Sequence, residues 1–165
     1  MRSDESRYRG YALPGQTAIV KIPARQRSLS MIAAVTNQGK VRFMIYPGGL
    51  SSERLIVFMQ RLIKDARRKA ILILDNLNVH KAKLVREWLG EHTEQIEVFY
   101  LPPYSPELNP TEYFNGDLKG AIQCGVPPKD VKELQRTMHS HSRRIQRSPA
   151  RVRAYLKNRH IRYAA

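Results

Sequence analysis

Cysteine and long apolar runs are the features most clearly missing from this sequence. Cys124 is the single cysteine among 165 residues, which excludes an internal disulfide and a zinc site built from several thiolates. No stretch approaches the roughly 18 apolar residues that a membrane span requires, and the first residues are too polar for a secretion signal. We therefore expect a cytoplasmic protein with no membrane partner, kept in a reducing environment.

Acidic residues are scarce as well. The chain has 14 aspartates and glutamates against 29 lysines and arginines, so its formal net charge is +15. An excess of this size predicts a polyanionic partner, and nucleic acid is favoured because arginine binds phosphate groups in a bidentate manner. The alternative is a basic surface that serves solubility alone. Hydrophobic residues make up 42% of the sequence, which is enough for one domain with a core.

The order of apolar and polar residues predicts an α/β domain. Residues 28–46 have the pattern of a hairpin with a tight turn at Asn37-Gln38-Gly39. The strand predicted at 70–74 is apolar throughout, so we expect helices to cover both of its faces. The other predicted elements are a helix that begins at Ser51 or Ser52, helices over 81–90 and 110–122, a strand over 96–101, and helical structure from residue 129 onward.

Two carboxylates occupy positions where ligand sites form in α/β proteins. Asp75 comes directly after the strand at 70–74, and ligands gather at the carboxyl ends of strands because the loops converge there. Glu112 comes two residues after Pro110, which is typical of the first turn of a helix. Either residue alone has a simpler explanation, since aspartate favours turns and glutamate suits the helix macrodipole.

The segments around both carboxylates resemble one enzyme family. The first reads Leu74-Asp75-Asn76 and continues to Val79-His80, and the second runs without interruption from Leu101 to Glu112 as LPPYSPELNPTE. These segments resemble the second-aspartate and third-carboxylate motifs of the DDE transposases, in particular the mariner-like bacterial insertion-sequence group with a DDE superfamily endonuclease domain. The resemblance extends over residues 1 to about 122.

The resemblance implies both a fold and a chemistry. The fold is α/β, with an RNase H-like mixed sheet flanked by helices. The activity is metal-dependent cleavage and strand transfer of DNA, with the transposon ends and the target as partners. Three acidic residues would bind two Mg²⁺ or Mn²⁺ ions, and Asp75 and Glu112 would be two of these catalytic metal ligands. In a bacterium, such a protein would be cytoplasmic and associated with the nucleoid.

The resemblance leaves two placements of the first catalytic aspartate open. If Gly15-Gln16-Thr17 matches the family's turn, the catalytic aspartate lies upstream of Met1 and Asp4 is a later, non-catalytic residue. In the other placement Asp4 itself is catalytic, although no apolar strand precedes it. The first placement predicts a carboxyl-terminal portion of a transposase that lacks most of the central first strand. Its partners would then include an upstream transposase segment, and a second copy in a dimer.

The basic residues suggest where DNA binds and how the chain is divided. We expect residues 1–125 to form the endonuclease domain, incomplete at its amino terminus, and residues 126–165 to form a basic helical extension. The alternative function is a catalytically inactive transposase remnant or regulator that binds DNA. The candidate DNA-binding residues are His80, Asn115, Lys119, Arg25, Arg27, Arg143 and Arg144.

Overall fold

A computed structural model of the chain describes residues 28–124, 126–161 and 163. Strands and helices alternate in its first part, and helices alone make up the last part. In the described ranges, no helix is long and apolar enough to cross a membrane. The elements are β1 (Ser30–Val35), β2 (Val41–Tyr46), α1 (Ser52–Asp65), β3 (Ala70–Leu74), α2 (Lys83–Glu91), β4 (Ile96–Tyr100), α3 (Pro110–Gln123), α4 (Val131–Gln146) and α5 (Pro149–Tyr155).

Strands β1 and β2 form the predicted antiparallel hairpin. Their register pairs Val35 with Val41 at the turn and Ser30 with Tyr46 at the open end. The turn closes through a 2.9 Å hydrogen bond from the Thr36 N–H to the Lys40 carbonyl. Gly39 adopts a φ of 82°, a left-handed conformation that glycine takes without steric cost. The turn signal in the sequence is therefore confirmed.

Strands β3 and β4 are parallel, with α2 crossing between them. Ala70 lies opposite Ile96 and Leu74 opposite Tyr100, and the Leu101 N–H extends the ladder by bonding the Leu74 carbonyl at 2.8 Å. The predicted order of strand, helix and strand is thus confirmed, and it forms a parallel crossover. One face of the pair is packed against α1 and α2, where Leu55, Met59, Val85 and Ile96 form a buried cluster together with the half-buried Leu72 and Val98.

The opposite face of β3 and β4 differs from the prediction. We expected helices on both faces of β3, but Ile71 is 70% exposed and Ile73 is 41% exposed. Phe99, which lies opposite Ile73 on β4, is also exposed. The prediction was wrong for the part of the chain that the structure describes, because α1 and α2 pack on the same face.

The architecture is the mixed α/β arrangement that the sequence predicts. Within residues 28–124, 126–161 and 163 the strands form two separate two-stranded sheets, with β1 beside β2 and β3 beside β4. No strand joins the two sheets within those ranges. Ile32 of β1 nevertheless packs against the cluster beneath β3 and β4.

The last three helices pack against the hairpin. Leu118 and Ile122 of α3 form one buried cluster with Leu29 and with Leu134 and Met138 of α4. A second cluster unites elements from the hairpin to α5, and its buried members are Val41, Phe114, Ile145 and Val152. Helices α4 and α5, which lie in the predicted extension 126–165, therefore share hydrophobic clusters with β1, β2 and α3.

The hairpin turn also approaches the start of α5 closely. A Cβ atom added to Gly39 would lie 2.5 Å from the carbonyl oxygen of Pro149. Next to the turn, the Gln146 side chain donates a 2.7 Å hydrogen bond to the carbonyl of Val41. These contacts fix the hairpin against the end of α4 and the beginning of α5.

Candidate active site

The first part of the site lies at the carboxyl end of β3. The strand ends at the buried Leu74, and Asp75 begins the connection to the 3₁₀ turn Asn78–Lys81. His80, only 4% exposed, lies within that turn, and its Nδ1 is 2.7 Å from the carbonyl oxygen of Asp75. The Tyr100 hydroxyl of β4 donates to the His80 carbonyl at 3.1 Å. The loop that carries Asp75 is therefore held to the sheet through His80.

The Asp75 carboxylate keeps an unsatisfied oxygen. Its Oδ1 is 3.0 Å from His80 Nδ1, which is ion-pair distance, yet it forms no hydrogen bond of acceptable geometry with a described residue. Asp75 Oδ1 lacks this hydrogen bond for a simple reason. With a single hydrogen on Nδ1, the imidazole donates to the better-aligned Asp75 carbonyl oxygen. Asn76 Oδ1 is likewise buried without a hydrogen-bond partner among the described residues.

These two oxygens provide a test of whether the site suits a metal ion. Buried acceptors without a donor are rare in proteins, and each one calls for an explanation such as a bound water or ion. Carboxylate and amide oxygens are the ligand atoms that Mg²⁺ and Mn²⁺ prefer. The residues at the carboxyl end of β3 therefore fit a divalent cation.

The other predicted ligand, Glu112, lies at the beginning of α3. Asn109 caps the helix, since its Oδ1 accepts hydrogen bonds from the Thr111 N–H at 3.0 Å and from the Thr111 hydroxyl at 2.7 Å. Pro110 occupies the first helical position, where its missing N–H costs nothing. Glu112 then falls in the first turn, where its side chain is exposed and has no ion-pair partner among the described residues. Its carboxylate is free to bind a ligand.

The connection from β4 to α3 is extended and constrained. Leu101 is buried, and the segment then passes through Tyr104, which has a φ of 54° and a side chain that is 101% exposed. The Ser105 hydroxyl bonds the Pro103 carbonyl at 3.2 Å before the 3₁₀ turn Pro106–Leu108. Pro102, Pro103 and Pro106 restrict the backbone of this loop, but the sequence carried no signal for the left-handed conformation of a tyrosine.

The other predicted site residues that the structure describes lie on α3 and α4. Asn115 and Lys119 lie three and seven residues after Glu112 on α3, where Asn115 is half-buried and Lys119 is exposed. Arg143 and Arg144 are both exposed in the last turn of α4. Three further residues, Asp4, Arg25 and Arg27, lie outside the described residues.

The described residues do not assemble a full set of ligands. Among them, no group of three histidine, cysteine or acidic side chains is close enough together to hold a metal ion. Asp75 and Glu112 therefore need a further ligand from outside those ranges if they are to form the three-acid site that the sequence resemblance implies.

One polar cluster was not found by sequence reasoning. Asp117 of α3 accepts hydrogen bonds from His141 Nε2 of α4 at 3.0 Å, from Arg151 Nε and Nη2 of α5 at 2.7 and 2.6 Å, and from the Tyr155 hydroxyl of α5 at 2.5 Å. Its side chain is 13% exposed. The partners lie 24 to 38 residues away in the sequence, so no local pattern indicated them. The cluster ties the helix that carries Glu112 to both helices that follow it.

The cluster also shifts the pKa of three of its members, and the bond to Asp117 raises that of Arg151. Burial by itself would raise the pKa of Asp117, but hydrogen bonds from Tyr155, His141 and Arg151 outweigh burial and lower it. Burial raises the pKa of Tyr155, and the bond to the Asp117 carboxylate raises it further. Asp117 is therefore ionised and Tyr155 is neutral across the physiological range.

Comparison with known proteins gives consistent matches. Residues 1–135 match a family model described as DDE superfamily endonuclease. The "Insertion element IS630 uncharacterized 39 kDa protein" of Shigella sonnei is 30% identical over 139 residues, which cover 80% of this chain and 40% of that protein. The chain thus spans about two fifths of the length of this relative.

Solved structures with a similar fold include the strand transfer complex of Mos1, with a TM-score of 0.61 at 20% identity over 92% of this chain and 49% of that one. The catalytic domain of the Mos1 mariner transposase matches with a TM-score of 0.55 at 18% identity, over 84% of this chain and 76% of that one. At these identities the likeness concerns the fold, which is RNase H-like.

Proposed function

Because this chain belongs to the DDE superfamily endonucleases, in the group that holds the insertion-sequence and mariner transposases, we propose that it takes part in metal-dependent cleavage and joining of DNA strands. The observation that carries the proposal is the unsatisfied, buried Oδ1 of Asp75 at the carboxyl end of β3. A cation would satisfy this oxygen. We assign Glu112, in the first turn of α3, as the second ligand.

Each residue of the site has a distinct role in this proposal. Asp75 and Glu112 bind divalent cations, Mg²⁺ or Mn²⁺, through hard carboxylate oxygens. A pair of such ions, when bound, helps to activate a water or a 3′-hydroxyl and stabilises the leaving oxygen of an in-line displacement at phosphorus. His80 is a positioning residue, since its Nδ1 holds the Asp75 carbonyl at 2.7 Å and thereby orients the loop.

The third ligand and the partners complete the proposal. Asp4 is one candidate for the first catalytic aspartate, and an acidic residue of another transposase segment is the other. The DNA partners are the transposon ends and the target, and a second copy of the chain is a further partner. We assign residues 1–125 to the endonuclease domain and residues 126–165 to a helical extension packed on it. The protein works in the bacterial cytoplasm, at the nucleoid.

The experiment measures metal binding and DNA nicking in the same variants. Mn²⁺ binding is followed by the loss of the free-ion electron paramagnetic resonance signal, and nicking is followed on a duplex that carries a terminal repeat. We expect Asp75→Asn and Glu112→Gln each to weaken Mn²⁺ binding and to abolish nicking. Glu107→Gln is the matched control, because Glu107 is an exposed acid in the same connection and has no assigned role.

Two results would contradict the assignment. Nicking that survives both Asp75→Asn and Glu112→Gln would refute their role in the chemistry. Equal loss of Mn²⁺ binding in the Glu107→Gln control would show that general negative charge, and no specific site, attracts the ion. Repeating the nicking assay with an added peptide from an upstream transposase segment tests whether the third ligand comes from there.

A second function is favoured by one observation. Within the described residues no three acidic or histidine side chains come together as a metal site, so a chain that binds DNA without cutting it is the alternative. This inactive DNA-binding remnant or regulator would show affinity that falls steeply with salt, and no nicking at any Mn²⁺ concentration. Nicking that depends on Asp75 would exclude it.

A further inference from the structure

Helix α4 presents a line of basic side chains to solvent. Lys132, Arg136, Arg143 and Arg147 are all exposed, and they follow one another at intervals of four, seven and four residues. With 3.6 residues per turn, these intervals place the four side chains within about 60° of one another around the helix axis. We call this set the α4 stripe. Arg144 is also exposed, but it lies about 100° around the axis from Arg143.

The direction of the α4 stripe is set by packing. Leu134, Met138 and Ile145 are 0% exposed and pack on the hairpin and on α3, so the stripe lies on the opposite side of the helix. His141 of α4 also contacts Asp117 of α3 at 3.0 Å. The stripe is thereby held in a fixed orientation relative to the helix that carries Glu112.

Helix α4 has a single acidic residue, and it is already engaged. Glu133 accepts a 2.5 Å hydrogen bond from the Lys129 N–H, and its own N–H donates to Asp130 Oδ1 at 2.7 Å. The first bond engages the Glu133 carboxylate with the residue before the N-cap, and the second is an ordinary N-cap bond from Asp130, which satisfies an N–H group at the start of the helix. Glu133 is therefore used at the helix terminus and does not neutralise the stripe.

The cations of the stripe have no ion-pair partners in the described part of the chain. Other cations of the protein do have them: Arg151 pairs with Asp117, Lys69 with Glu97 and Arg42 with Asp65. A helix face that serves solubility alone usually mixes both signs, because oppositely charged neighbours three or four residues apart stabilise the helix. A row of one sign repels itself and is suited to a polyanion.

We propose that the α4 stripe binds the sugar-phosphate backbone of DNA. The proposal rests on the proposed function for its choice of DNA as the polyanion. The four positions span about 22 Å along the helix axis at 1.5 Å per residue. Duplex DNA carries one charge for about every 1.7 Å of its axis, so phosphates are dense enough to meet each cation of the stripe. Contacts of this kind position the duplex and carry no sequence information.

The predicted signature is a change in salt dependence. Each phosphate contact contributes about 0.9 to the slope of log affinity against log salt concentration. Replacing Arg136, Arg143 and Arg147 by glutamine should therefore reduce the slope by about 2.7. The loss of affinity on raising the salt concentration from 50 to 200 mM would then be about 40-fold smaller than for the unmodified chain. The loss should be the same for specific and random duplexes.

The experiment uses the whole chain and a fluorescein-labelled duplex in EDTA, with fluorescence anisotropy as the readout. The control replaces Lys64, Arg67 and Arg68 by glutamine, which removes the same charge from exposed positions in the last turn of α1 and in the connection to β3. Urea unfolding of each variant checks that it is folded. A third variant, which combines Arg136→Lys, Arg143→Lys and Arg147→Lys, keeps the charge and should keep the slope of log affinity against log salt concentration.

The outcomes separate this inference from the proposed function. If the unmodified chain binds and the triple glutamine variant keeps its slope, the stripe is refuted and the catalytic proposal is untouched. An equal loss in both glutamine variants would also refute the stripe, since net charge alone would then explain binding. A selective loss supports the stripe even if Asp75→Asn has no effect on nicking, because EDTA removes metal from the binding assay. No binding by the unmodified chain at 50 mM salt would refute the stripe alone, because the catalytic proposal requires a metal ion that EDTA removes.

Discussion

Asp117→Asn tests whether the cluster around this carboxylate holds α3 to the last two helices. The substitution keeps the shape of the side chain but removes its charge and replaces one acceptor oxygen by a donor nitrogen. His141, Arg151 and Tyr155 all donate to the carboxylate, so at least one of these donors would then face another donor. The clash is confined to the junction of α3, α4 and α5.

The magnitude follows from the exposure of the partners. Hydrogen bonds to a charged group contribute about 1.5–3 kcal/mol when both partners are buried. Arg151 is 46% exposed and His141 is 12% exposed, so solvent weakens the first contact much more than the second. After this discount, we expect Asp117→Asn to lower the free energy of unfolding by about 2–4 kcal/mol.

The pH dependence gives an independent check on the same interaction. The pKa of Asp117 is lowered in the folded state, so its stabilising contribution is present above the ordinary aspartate pKa of about 3.9 and is lost as pH falls through the folded-state value. Because the pKa of Asp117 is lowered on folding, the difference in free energy of unfolding between the unmodified chain and the variant should be constant from pH 5 to pH 7. The difference should shrink below about pH 4.

The assay is urea unfolding followed by far-ultraviolet circular dichroism at several pH values. Asp65→Asn is the control, because Asp65 pairs with Arg42 at an exposed position and its loss should cost about 0–1 kcal/mol. If Asp117→Asn lowered the free energy of unfolding by less than about 0.5 kcal/mol, the usual effect of a surface substitution, the cluster would not hold the three helices together. A stability difference that does not shrink at acid pH would refute the assignment to the charged carboxylate.

Three further substitutions test the site and the hairpin. His80→Ala should weaken Mn²⁺ binding about 10- to 100-fold by releasing the Asp75 loop, measured by titration, and unchanged affinity would refute the positioning role. Gly39→Ala should lower the free energy of unfolding by more than about 1 kcal/mol, because the backbone has a φ of 82° and the new Cβ meets Pro149; an unchanged urea midpoint would contradict this. Tyr104→Gly should raise the melting temperature, because glycine relieves a left-handed conformation that costs about 1–2 kcal/mol and the side chain that is lost is fully exposed. A lower melting temperature would show that the tyrosine makes a stabilising contact.

Much of the candidate site could be predicted from local patterns. The apolar run before Asp75 predicted a strand that ends there, and the structure has β3 ending at Leu74. Pro110 predicted a helix start, because proline lacks an N–H that the first turn does not need, and the structure adds Asn109 as the N-cap. These features depend on a few consecutive residues, so the sequence contains all the information that they require.

Exposure was harder to predict than secondary structure. The composition of 70–74 indicated burial on both faces, yet Ile71 and Ile73 are exposed because α1 and α2 pack on one face. From the sequence, His80 could orient Asp75, contact DNA or have a structural role, and its burial beside Asp75 favours an orienting or structural role. Burial depends on which elements pack on which face, and hydrophobicity within one segment does not record it.

By itself, the sequence determined the order of the elements, the positions of Asp75 and Glu112 at the ends of their segments, and the excess of positive charge. Tertiary structure alone decided that Asp117 joins three helices, and that the row of cations containing Arg143 faces solvent. The physical reason is distance along the chain. Turn, cap and periodicity signals act over a few residues, whereas the partners of a carboxylate and the outward face of a helix are set by packing between segments far apart in sequence.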